Sequence, residues 1–357
     1  MSRDHRAIVA AAGSGKTQEL ICRALHQARD ERVLITTYTD NGTNEIASRI
    51  IRQVGRMPAN VVVMSWYSFL LRHAIKPFQH SLFDINEVRT INFITKPMWG
   101  IPKTDIRRYF LDSQGSVYRD RVTDLALKLD GISGGAVSRR IAGIFRGFYL
   151  DEVQDMSGHD FGFLESLMAV VGSVVMVGDP RQGTYSTTQA RKSSHFTRSK
   201  ILNWLNQLEG RGVLEIESQS ESHRCVQAIC DYADSLFDGF DPTKSLNEST
   251  TGHDGVFLLR TRDVNDYVNR YAPQVLAWDR QSDTFGVPSR NMGDAKGLSF
   301  ERVLIVPTGT MKDFLRRDVQ LAEITRAKFY VAVTRAQQSV AIALDSPGAC
   351  TIPYWTP

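Results

Sequence analysis

The sequence predicts an α/β protein of two domains, each a parallel sheet flanked by helices. Three observations lead there. Short apolar runs, AIVAA, FYL and SVVMV, end in glycine or acidic turns, as the buried strands of a parallel sheet do. Other stretches carry apolar residues at helical spacing, such as Leu20, Ile21, Leu25 and Ala28 in QELICRALHQARDE. The chain has 357 residues, enough for two domains of ordinary size.

Composition narrows the class. Hydrophobic residues make up 42%, so a sizeable core is expected and wholesale disorder is not. Lys plus Arg number 43 against 39 acids, a balance of +4 that permits a polyanionic partner without demanding one. Cys22, Cys225, Cys230 and Cys350 form no CxxC pair, which argues against zinc and a disulfide framework. Reduced, buried thiols in a cytoplasmic protein are expected instead. The opening MSRDHRAIVAAAG runs straight into a glycine loop and does not read as a signal peptide. No apolar run approaches the ~18 residues of a membrane span. A soluble cytoplasmic protein without a membrane partner is the expectation.

AIVAA reads as the first strand, AAAGSGKT as a loop and QELICRALHQARDE as the following helix. Strand, glycine loop and helix in that order are the context of a P-loop. Gly13 and Gly15 let backbone N–H groups approach phosphate oxygens. Lys16 would neutralise the outer phosphates, and the Thr17 hydroxyl would hold Mg2+. The strict pattern has glycine at position 10, where this chain has Ala10. In GFYLDEVQD, a buried strand ends in two acids, at the carboxyl edge where α/β sheets bind ligands. Asp151 would bind Mg2+ through water, and Glu152 would act as general base on an attacking water. A plainer reading makes Asp155 the N-cap of the helix FGFLESLMAVV. SVVMV then leads into GDPRQ; Gln182 is placed to reach a γ-phosphate, although alone GDPRQ is a polar turn.

The succession AAAGSGKT, ITTYTDNGTNEIASRI, DEVQD, VGDPRQGTY, SHRC, AKGLSF and YVAVTRA resembles the motifs of UvrD/Rep-like superfamily 1 DNA helicases, from residue 8 to about residue 342. The resemblance implies two RecA-like domains with ATP and Mg2+ in a cleft between them. The nucleotide would meet Ala12, Gly13, Ser14, Gly15, Lys16, Thr17 and Gln18 of the loop, and His223. Arg224 in SHRC and Arg335 in VAVTRA match the family's arginine fingers, so the expected catalytic set is Glu152, Gln182, Arg224 and Arg335. Arg335 is expected to follow a strand formed by FYVAV. Tyr38, Trp66 and Tyr185 fall at or near DNA-contacting motifs. Each is read either as an exposed face for base stacking or as core.

Several family features are altered. With only a few residues before Ile8, the glutamine motif that reads adenine is not expected. Gln18 stands where an arginine often follows, His223 where a tyrosine stacks, and Ser299 where a glutamate binds ribose. ATP is expected, with other nucleoside triphosphates open. Thr187 and Thr188 replace a base-wedging tryptophan and its arginine, and Met292 and Gly293 replace a threonine and a histidine.

The first domain is expected over residues 1–212, with a short insertion at about 75–142, and the second over 213–357, beginning at VLEIES. KTDIRRYF, SVYRDR and VSRRIAGIFRG in the insertion would line a strand path or form a solvated helical face. The expected activity is a DNA-stimulated ATPase translocating 3′ to 5′ on single-stranded or partly duplex DNA. The alternatives are an ATPase subunit of a larger complex with a nuclease partner, as in defence against foreign DNA, and a nucleotide-dependent DNA-binding module.

Overall fold

A computed structural model describes residues 4–84, 87–97, 100–184, 196 and 200–357. Its first sheet has six strands in the order Val61–Ser65, Val33–Thr37, Gly147–Asp151, Ser173–Gly178, Asp4–Ala10 and Glu215–Gln219. The first five pair in parallel. Val33–Thr37 and Gly147–Asp151 are buried along their whole length, as inner strands of a parallel sheet are. Helices Lys16–Gln27 and Asp40–Val54 turn Leu20, Ile21 and Ala24, and Ile46 and Ile50, inward. Thr39 caps the second of these, its hydroxyl accepting from Gly42 N, and Gly55 ends it in the left-handed conformation.

The chain divides into two compact units. One comprises Met1–Val9, Lys16–Pro180 and Tyr185–Glu217; the other comprises Ala10–Gly15, Arg181–Thr184 and Ser218–Pro357. The second unit has a five-stranded sheet in the order Gly255–Leu259, Ala336–Ala343, Phe300–Ile305, Gln274–Ala277 and Ser289–Asn291, every pairing parallel. Leu258, Leu276, Val303, Ile305, Phe329, Tyr330, Val340 and Ile342 share one core cluster on it. The α/β class with parallel sheets flanked by helices is as expected.

Four local expectations are corrected. FYVAV is the end of an α-helix, Glu323–Val333, and the strand comes after it, at Ala336–Ala343. Phe329 to Val333 are all buried, and an apolar run hidden on every side reads alike as strand or helix. VLEIES supplies the last strand of the first sheet, where Glu217 pairs with Arg6 at 2.6 Å and Arg23 at 2.8 Å. Asp155 lies in the 3-10 turn Val153–Asp155, and the helix begins at Asp160. Of the four thiols, Cys225 and Cys230 are buried, but Cys22 is exposed and Cys350 half-buried. In the insertion, Tyr109, Phe110 and Tyr118 are core residues, which leaves its arginines without exposed ring partners from these three positions.

Candidate nucleotide site

Three neighbouring strands deliver the informative loops to one sheet edge. Ile8 lies opposite Val177, and Val177 opposite Asp151. The loop after Asp4–Ala10, the acids after Gly147–Asp151 and the GDPRQ turn after Ser173–Gly178 therefore leave from adjacent carboxyl ends, where α/β sheets bind ligands.

The loop has the shape a phosphate needs. Gly13 and Gly15 sit at φ 81° and 82°, a region that disfavours side chains. Among the described residues nothing lies within 4 Å of where a Cβ on Gly15 would sit, and Lys16 opens the twelve-residue helix Lys16–Gln27. Helix N-termini attract anions through unpaired N–H groups and the dipole. The Ser14 hydroxyl is buried and has no hydrogen-bond partner among the described residues.

Within the first unit, Thr17 Oγ1 donates to Asp151 Oδ2 at 2.8 Å, and Lys16 Nζ lies 3.7 Å from Glu152 Oε1. Burial, and then the charge of neighbouring Glu152, pushes the Asp151 carboxyl up to about 6, against the pull of Lys16 and Thr17. Two adjacent carboxylates and a hydroxyl are oxygen donors suited to a hard divalent cation. No group of three or more His, Cys, Asp or Glu that could hold a metal occurs among the described residues. A magnesium ion here would take Thr17, Asp151 and otherwise phosphate and water oxygens, which is the usual way this ion is held.

Glu152 adopts φ 58° and ψ 46°, unusual for a side-chain-bearing residue. Such conformations cost of order 1–3 kcal/mol and persist where surroundings over-determine them. Here Gln154 Nε2 donates to Glu152 Oε2 while Lys16 flanks the other oxygen. A Cβ at Gly178 would meet Gln154 Oε1 at 2.2 Å, so the glycine is what admits this amide. Gln154 was not among the expected site residues; its only sequence signal is its place two residues after Glu152.

In the second unit, a Cβ on Gly13 would come within 2.6 Å of Arg224 Cβ and 2.7 Å of Ser222 Oγ. Ser222 Oγ donates to Ala12 O at 2.8 Å, and His223 N to Gly13 O at 3.0 Å. Arg224 thus begins beside the loop, and its Nη1 donates to Thr334 O at 3.1 Å. Arg335, 2% exposed, donates to Val331 O, to Leu298 O and, from Nη2 at 3.4 Å, to Gln182 Oε1. Ser222 is a further residue that spacing did not reveal.

The remaining expected residues are placed differently. Gln18 is exposed, and its amide donates to Gln53 Oε1 at 2.8 Å on the neighbouring helix. The His223 side chain is exposed. Tyr38 is half-buried at the carboxyl end of Val33–Thr37, its ring 5.7 Å from that of Tyr67. Tyr185 lies outside the described residues. Trp66 is fully buried, packed on Phe69, Phe148 and Phe163, and its indole N–H donates to Asp160 Oδ1 at 2.9 Å. It is therefore core rather than a stacking platform. Trp66→Ala is expected to lower stability by about 3–5 kcal/mol. Urea unfolding checks this; an unchanged midpoint would contradict it.

No helix of the described residues is long and apolar enough to cross a membrane. The family model of the UvrD/REP helicase N-terminal domain matches residues 2–96. No curated protein matches the chain. Among solved structures, arterivirus nonstructural protein 10 (helicase) in complex with DNA is similar at 16% identity and a TM-score of 0.46. That match covers 95% of this chain and 60% of the viral one, so this chain spans about three fifths of the viral chain's length. The resemblance carried by the motifs is thus matched over residues 2–96, where the chain is similar to the N-terminal domain of the UvrD/REP helicases.

Proposed function

We propose that this chain is an ATP-hydrolysing, UvrD-like motor that moves 3′ to 5′ along single-stranded DNA and separates duplex. The observation that carries the reading is the meeting of Lys16, Thr17, Asp151 and Glu152 at one sheet edge. Loop N–H groups and Lys16 would hold the phosphates. Thr17 and Asp151 would hold Mg2+, which when bound neutralises charge on the phosphate oxygens. Glu152, steadied by Gln154, would take the proton of the attacking water. Gln182 and Arg335, already in contact, would respond to the γ-phosphate, and Arg224 would add positive charge at the loop. The departures at Gln18 and His223 leave the base weakly read, so GTP and CTP are expected to support some turnover.

Direction is tested with single-stranded DNA carrying streptavidin on a biotin at one end. With ATP, the chain is expected to strip streptavidin from the 5′ end and leave it at the 3′ end. Stripping from the 3′ end alone would reverse the assigned polarity. Hydrolysis with stripping from neither end would support a switch without travel, including an ATPase that depends on a nuclease partner.

A further inference from the structure

GDPRQ reads as a polar turn, yet Arg181 is 3% exposed and Gln182 is 2% exposed. A buried guanidinium loses its hydration, so it persists only where other groups replace the water. Within the second unit, Arg181 Nη1 donates to Asp234 Oδ1 at 2.8 Å. Its guanidinium carbon lies 4.9 Å from the ring centroids of both Phe240 and Tyr330. Asp234 is fixed in turn, accepting from Thr243 N at 2.6 Å and from Thr243 Oγ1 at 2.8 Å. A buried ion pair adds little net stability; here the acid held by Thr243 and the two rings leave the guanidinium one seat.

What it fixes is the next residue. Gln182 Oε1 accepts from Arg335. Tyr330, which offers a ring to Arg181, belongs to the last turn of helix Glu323–Val333 and accepts from Thr334 N and Thr334 Oγ1 through its carbonyl. Thr334 O in turn accepts from Arg224. One short segment, Tyr330–Arg335, therefore grips Arg181 by a ring, carries the arginine that meets Gln182, and receives Arg224. Shifting Arg181 would shift the glutamine against its arginine.

We infer that Arg181 is a positioning residue for nucleotide turnover: its contacts with Asp234, Phe240 and Tyr330 set Gln182 against Arg335. This rests on the proposed role of Gln182 at the γ-phosphate. Lysine keeps the charge but loses the planar face that lies over the rings, so Arg181→Lys is a graded perturbation. It acts on turnover only through Gln182.

The test is a double-mutant cycle on ATP hydrolysis with saturating single-stranded DNA. Arg181→Lys is expected to lower kcat by about tenfold with KM for ATP within about twofold, and Arg181→Ala to lower kcat further. In a Gln182→Ala background, Arg181→Lys should cost nothing more. Equal losses in both backgrounds, or a rise in KM with kcat unchanged, would overturn the inference. Thermal unfolding establishes that each variant is folded. Should Arg181→Lys not fold, Phe240→Leu, which removes one ring and leaves the ion pair, is expected to give the same dependence on Gln182. If Gln182→Ala were itself fully active, the proposed role of the glutamine would fail, and that of Arg181 with it. Turnover lost in Gln182→Ala but unmoved by Arg181→Lys would sink the inference alone.

Discussion

Glu152→Gln is expected to lower ATP turnover by about 10²–10⁴-fold, the range that a positioned general base contributes. Nucleotide binding should persist, because the loop, Lys16 and the Thr17–Asp151 pair are untouched. Glutamine has nearly the shape of glutamate, so the left-handed backbone at 152 is no more strained than before. The lost ion pair with Lys16 spans 3.7 Å between partly exposed groups, and its removal changes stability by at most about 1 kcal/mol. Phosphate release and the fluorescence of a labelled nucleotide separate the two effects. Normal turnover in the variant would remove Glu152 from the role of base, and loss of binding alongside turnover would make it a structural residue.

Arg335→Ala is expected to have the larger effect, about 10³–10⁵-fold on turnover, as for arginines that stabilise charge on a transferring phosphoryl group. Its guanidinium is buried, and donates to Val331 O, Leu298 O and Gln182 Oε1. Truncation also removes the donor to Leu298 O, at about 1–3 kcal/mol if water cannot replace it, whereas Val331 O keeps a hydrogen bond from Thr334 Oγ1. Arg335→Lys separates the roles. It keeps a charge and most of the packing but cannot serve several acceptors from one planar fork. Its unfolding temperature should lie closer to that of the unaltered chain than Arg335→Ala does, while turnover stays far below normal. Turnover that recovers fully with lysine would mean that only charge matters there, and turnover unaffected by alanine would end the finger assignment.

Local patterns made much of the fold legible. AIVAA, FYL and SVVMV are continuous apolar runs, and each is a buried strand of the first sheet. The P-loop glycines, Lys16 and the Asp151–Glu152 pair were legible because their chemistry lies in residues close in sequence. FYVAV misled because complete burial erases the alternation that separates strand from helix. VLEIES misled because its sheet is set by pairing across the chain, with Glu217 reaching back to Arg6 and Arg23. Ser222, Gln154 and Arg181 were missed for the same physical reason. Ser222 serves the Ala12 carbonyl, Gln154 fits against a glycine on the next strand, and Arg181 is paired with an acid on a later helix. No local pattern carries such pairings. Trp66 was drawn toward DNA by its motif, whereas packing against three phenylalanines decided its place.

The most direct measurement is the steady-state rate of ATP hydrolysis with and without single-stranded DNA, with Lys16→Ala as the inactive control. The expected result is a rate raised strongly by DNA and abolished in the control. A rate that DNA leaves unchanged, or one that survives the loss of Lys16, would contradict the reading of this chain as a nucleotide-driven motor.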